Sequence, residues 1–181
     1  MKEEFSNQQI FNLEIPNFED LELIRVSGKY LKIILFNLSI FSIFLIGIAS
    51  AALYFFYVDL SLLHVLMIVI LTFFIIIFLF LNAIIGFKFR KYAVREKDLV
   101  YQHGWLKRSL IIVPFKRIQH IKVEQGWLSK ILNLKSVSVF TAGVNGGDIT
   151  INGLPEDIAE GINDHIRGSI SKEKAEDGGQ A

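Results

Sequence analysis

Two apolar stretches without a charged residue, Ile33 to Val58 and Val65 to Phe87, dominate the pattern along this chain, and each exceeds the roughly 20 residues that cross a bilayer core. At about 1.5 Å per residue they would reach about 39 Å and 35 Å against a hydrocarbon thickness of about 30 Å, so each has room to tilt. The pattern predicts a transmembrane helical hairpin over residues 33–87. A buried hairpin in a soluble protein would need far more chain to wrap two helices that are apolar on every face. A cleaved leader fits no better. Ala49-Ser50-Ala51 has the small-x-small form of a cleavage site, but the apolar run continues past Ala52 and the segment before it starts acidic.

After Phe87 the period falls from helical to two. Tyr92 and Val94 alternate with charged neighbours, and Leu99, Tyr101 and His103 share one face of a second strand. Gly104 to Arg108 reads as a turn, Ser109 to Val113 as a strand broken by Pro114, and Ile118 to Gln125 as a further strand. Trp127 to Leu132 fits one or two helical turns, with Asn133 able to end them in a left-handed conformation. Val137, Val139 and Thr141 define another strand, Gly143 to Gly147 a loose hairpin loop, and Asp148 to Asn152 its partner. A helix closes the series. Pro155 suits its first turn, Glu156 and Asp157 the positive end of its dipole and Arg167 the negative end, with Gly168 just beyond. Its apolar stripe is Ile158, Ala159, Ile162 and Ile166. Ahead of the hairpin, Phe11, Leu13 and Ile15 alternate as a short half-buried strand. From Asn17 to Arg25 helical and extended spacings compete.

The expected organisation is an N-terminal acidic arm over residues 1–32, the hairpin over 33–87 (spans 33–58 and 65–87), a domain over 88–168, and a disordered tail over 169–181. The fold class is α+β. Charge sharpens this picture. Residues 1–24 carry six acids against Lys2, whereas residues 88–168 carry thirteen Lys or Arg against eight acids. The arm is therefore expected to dock on the domain by strand pairing and charge. Arg25, Lys29 and Lys32 precede the first span and Lys88, Arg90 and Lys91 follow the second, while the segment between the spans has no Lys or Arg. By the positive-inside bias both termini face the cytoplasm. With no cysteine, disulfides, thiolate nucleophiles and thiolate metal sites are excluded.

The spans hold few polar residues, among them Asn37, Ser39, Ser42, Ser50, Thr72 and Asn82, and no ionisable group at mid-membrane, so transport by this hairpin alone is not expected. No phosphate-binding loop, dinucleotide fingerprint or nucleophile elbow is present; the glycines after Thr141 lead into a strand rather than a helix. His103 and His120, with Asp148 or Glu124, are candidates for a metal or acid–base site on neighbouring strands, but no pair has ligand spacing. No cofactor is expected. Lys107, Arg108, Lys116 and Arg117 sit at two strand ends and are candidates for anionic lipid phosphates; the plainer reading is a positive-inside collar with solvated turns. Trp105 and Trp127 are candidate interaction anchors, or core filling. Nucleic acid is not an expected partner, for no aromatics interleave with the basic residues as a stacking array.

One run of motifs is more specific than the rest: Pro114-Phe115-Lys116-Arg117-Ile118-Gln119-His120-Ile121, then Gln125-Gly126-Trp127-Leu128, then Asn133-Leu134, and Val137 to Gly143. Over about residues 90 to 168 the chain resembles the bacterial pleckstrin-homology-like domain of YdbS-type membrane proteins, in which a two-span hairpin commonly precedes the domain. Asn133 stands where the family often has Gly, and it can adopt the same backbone. The resemblance implies a bent antiparallel sheet or barrel capped by a C-terminal helix, and it supplies no reaction. The expected function is a non-enzymatic membrane scaffold that binds another membrane protein or a copy of itself, with anionic-lipid binding by the basic loops as the alternative.

Overall fold

The computed structural model of the chain describes residues 21–56, 61–141 and 148–178, with side chains through Ser171. The expected strand over Phe11 to Ile15 and the loop Gly143 to Gly147 lie outside the described residues. Helices α1 (Lys29–Phe55) and α2 (Leu62–Lys88) have 27 residues each, about 40 Å of helix. No residue of α2 is buried in protein, and Ile33 and Ser42 are the buried residues of α1. So much exposed Phe, Ile and Leu is stable in lipid and not in water. The hydroxyls of Ser39, Ser42 and Thr72 donate to the carbonyls of Leu35, Leu38 and Ile68 at 2.8–2.9 Å, which satisfies them without water. The chain is embedded in the membrane by these two helices. The first begins at Lys29, earlier than the apolar run, so Lys29 and Lys32 ride on its first turn, while Arg25 lies in the strand before it.

The domain is built on two antiparallel sheets. In the first the order is β1 (Ile24–Arg25), β2 (Lys91–Val94), β3 (Asp98–His103) and β4 (Ser109–Pro114). Because β1 precedes α1 and β2 follows α2, the chain entering the membrane is zipped to the chain leaving it, Ile24 opposite Tyr92 and Arg25 opposite Lys91. Of the segment with competing spacings, Ile24 and Arg25 are extended strand, and residues 17–20 lie outside the described residues. The second sheet runs β5 (Ile118–Glu124), β6 (Leu134–Thr141) and β7 (Ile149–Pro155). Between β4 and β5 lies a 3-10 turn, Phe115–Arg117, and between β5 and β6 the short helix α3, Trp127–Ile131. Asn133 ends α3 with φ 53°, the left-handed conformation its position suggests.

A register shift between Ile118 and His120 puts one extra residue, Gln119, into β5. The bulge lets Ile118 and Ile121, three apart, both turn inward while His120 and Lys122 stay exposed. Leu99, Phe115, Val137, Ile151 and Leu154 fill the space between the sheets, and helix α4 (Glu156–Gly178) closes it with Ala159, Ile162 and Ile166. Lys135 pins the first turns of α4, its ammonium meeting Glu156 at 2.7 Å and Glu160 at 2.5 Å. These hydrogen bonds hold the Lys135 pKa above the ordinary lysine value.

Helix α4 runs ten residues beyond the Gly168 end that its stripe suggests. Ile170 still reaches the core, and the hydroxyls of Ser169 and Ser171 donate to the carbonyls of His165 and Arg167 at 3.0 and 2.9 Å. Charge-rich sequence with Lys, Glu and Ala is good helix former as well as good solvated tail, so composition alone reads the segment after Gly168 as disordered.

Candidate functional site

The hairpin and the domain meet along a seam that two glycines make possible. In β7 a second register shift, opposite Lys135 to Val137, accompanies Gly153, whose φ is +79°. A Cβ at Gly153 would overlap the Tyr30 side chain; without one, the first turn of α1 lies directly on the sheet. The Ser27 amide donates to the Gly153 carbonyl at 2.9 Å, and the Arg90 guanidinium stands 5.8 Å from the Tyr30 ring centroid, within cation–π reach. Gly104, φ +88°, lets β3 turn back tightly against the Lys107 carbonyl. The turn presses Trp105 on α2, where its indole N–H donates to Asn82 Oδ1 at 2.8 Å. Arg108 follows in the same turn, its guanidinium 5.2 Å from the Phe89 ring centroid.

On the other helix, Trp127 of α3 meets Phe36 of α1 edge-on, ring centroids 6.0 Å apart at 77°. Trp127 is 68% uncovered by protein outside that contact, and Ile131, one turn on, is 70% uncovered. These two tryptophans touch the hairpin at one level. About 28 Å of helix separates Phe36 from Phe55 and about 30 Å separates Asn82 from Leu62, a whole hydrocarbon thickness. Both contacts therefore fall at the domain-side boundary of the membrane core. An indole with an apolar body and one polar edge suits that depth.

The six candidate residues are thus divided. Trp105, Lys107, Arg108 and Trp127 lie at the membrane end of the domain. Lys116 and Arg117, in the 3-10 turn, lie beyond the other end of β4, about 20 Å away at roughly 3.3 Å per residue. There the Phe115 amide donates to the Lys97 carbonyl at 2.9 Å, beside the turn held by the Arg95–Asp98 ion pair. The four basic residues make no single patch. His103 and His120 do not lie on neighbouring strands either: β3 belongs to the first sheet and β5 to the second. His103 stacks on Tyr101 at 5.3 Å and His120 on Phe140 at 4.3 Å. Among the described residues no group of three or more His, Asp or Glu is placed to hold a metal ion.

Between hairpin and domain a cleft of about 600 Å³ opens. Ile34, Leu79 and Ala83 give it an apolar wall in the span, and Arg90, His103 and Asp148 give it polar groups on the domain side. Tyr101, also at its edge, is buried, which raises its phenol pKa; Arg90 nearby pulls the other way and Tyr30 adds to the rise. A second cavity, about 490 Å³, sets Lys91 and Arg108 against Leu21, Leu23 and Leu110. Sequence reading does not find Arg90 or Gly153 as junction residues. Arg90 looks like one more basic flank, and nothing near Gly153 in sequence signals that Tyr30 will occupy the space it leaves.

A family model described as bacterial PH domain matches residues 33–170, the hairpin and the domain together. The chain is 33% identical over 97 residues to the transmembrane protein YdbS of Bacillus subtilis (strain 168), an alignment covering 54% of this chain and 57% of that protein. The match thus spans little more than half the length of the curated relative. No solved structure matches the chain.

Proposed function

The chain belongs to the bacterial PH domain family, and from that premise we propose that it is a non-enzymatic scaffold of the cytoplasmic membrane that offers a sheet edge to another membrane protein or to a second copy. Both termini lie on the cytoplasmic side, where the basic flanks of the spans belong by the positive-inside bias. The observation that carries the reading is strand β5. It lies at the edge of its sheet, pairs with β6 on one side, and runs Ile118–Glu124 with Gln119, His120, Lys122 and Glu124 exposed. An edge with this much charge resists indiscriminate aggregation while leaving backbone groups for a strand that matches it. The seam supports the same reading, because Trp105, Trp127 and Tyr30 fix the domain on the hairpin and so fix where that edge points.

A photo-crosslinking residue at Gln119 or Lys122 of the full-length protein, in native membranes, tests the proposal. The expected product is a covalent adduct with one membrane protein or with the chain itself, absent when the same residue is placed at exposed Glu160 on α4. Adducts with lipid alone from β5 would overturn it. A second reading, anionic-lipid binding, is favoured by the pairing of Lys91 with Arg108 in one cavity near the membrane. On that reading Lys107 and Arg108, and not Lys116 and Arg117, carry the contact.

A further inference from the structure

We propose that the cleft between hairpin and domain holds the headgroup of one zwitterionic membrane lipid, a phosphoethanolamine ester, with its phosphate between Arg90 and His103 and its ammonium at Asp148. This goes beyond the scaffold reading and does not depend on it. The cleft straddles the depth at which lipid headgroups meet acyl chains: Ile34, Leu79 and Ala83 line it from the spans, while Arg90, His103 and Asp148 line it from the domain side. At about 600 Å³ it has the size of small-ligand sites, about 300–1,000 Å³.

The polar groups are short of partners in the way a headgroup would supply. His103 is held by its stack on Tyr101, and its Nδ1 is buried with no hydrogen-bond partner. A buried ring nitrogen left so costs stability, and in its N–H tautomer Nδ1 would donate to a phosphate oxygen after a small turn of the ring toward the cleft. Arg90 has no carboxylate partner among the described residues; its guanidinium lies over the face of Tyr30, which leaves its edges for a phosphate. Asp148 spends Oδ1 on the Thr141 amide at 2.8 Å, and its second oxygen has no partner among the described residues. One cation and one acid in the same cleft select a ligand with both charges. A glycerol headgroup brings the same phosphate to Arg90 but offers Asp148 neutral hydroxyls in place of an ammonium, so the carboxylate favours the zwitterion.

Full-length protein stripped of lipid in mild detergent, then offered vesicles of equal phosphatidylethanolamine and phosphatidylglycerol, should retain a single phosphatidylethanolamine by native mass spectrometry. Arg90→Gln should lower that retention about tenfold or more, the value of one charge-assisted hydrogen bond. Ala83→Leu, which fills the apolar wall without touching the domain core, should lower it comparably with an unchanged melting temperature. Asp148→Asn should shift the preference toward phosphatidylglycerol. Retention of the two lipids in the proportion offered, or retention unaltered by Ala83→Leu and Asp148→Asn, would overturn the assignment. Displacement by soluble phosphoethanolamine would overturn the lipid source and make the ligand a free phosphate ester.

Discussion

The two basic pairs at the ends of β4, Lys107-Arg108 and Lys116-Arg117, have the same composition and opposite surroundings. Lys107 and Arg108 share a turn with Trp105, whose indole reaches Asn82 in the membrane helix. Lys116 and Arg117 follow Phe115, which is 2% exposed in the domain core and meets His165 of α4 edge-on at 5.7 Å. A basic pair therefore says nothing about lipid until the length and direction of the strand beside it are known. The membrane end of the domain is a seam between two bodies, and the far end is core.

The far end should break most severely. Phe115→Ala removes a ring from the centre of both sheets and should cost about 3–5 kcal/mol, read as loss of cooperative thermal unfolding in detergent. At the membrane end, Gly153→Ala forces a side chain into the space of Tyr30 at positive φ. The expected cost is about 2–4 kcal/mol from overpacking and left-handed strain together. It should show as faster hydrogen exchange at Ser27 and along β7, with the core slower to respond. If Gly153→Ala left Ser27 protected, the seam would not be the seat of the domain.

Charge sharpens the contrast at smaller scale. Reversing Lys107 and Arg108 to Glu should remove roughly 1 kcal/mol of attraction to an anionic leaflet per charge. In nanodiscs the exchange protection of residues 104–108 should then stop depending on anionic lipid content, whereas reversing Lys116 and Arg117 should leave that dependence intact. Smallest is Trp105→Phe, which keeps an aromatic body and deletes one hydrogen bond. About 1 kcal/mol is expected, and Asn82→Leu made with it should add little, since the two side chains serve each other.

Much of this fold was legible along the chain. Two spans free of charge read as a hairpin, period-two alternation read as strands, and Asn133 announced its left-handed turn, because each is a local matter of solvent or backbone sterics. The strand from Ser109 also fixes the distance between the two basic pairs, although composition and position alone group all four residues as one candidate lipid contact. The cleft was not legible. Ile34, Arg90, His103 and Asp148 come from four places in the sequence and meet through the pairing of β1 with β2 and the bulge at Gly153, neither of which has a local signature. The extension of α4 past Gly168 was hidden for a different reason: solvated charge suits a helix surface and a disordered tail equally well.

Trp105 and Trp127 are the two tryptophans of the chain, so fluorescence reads the seam directly. In vesicles carrying lipids brominated near the headgroup end of the acyl chain, each single-tryptophan protein, Trp105→Phe or Trp127→Phe, should be strongly quenched by the lipid and weakly by aqueous acrylamide. Free quenching of Trp127 by acrylamide, with no quenching by brominated lipid, would contradict the account that both tryptophans seat the domain at the membrane boundary.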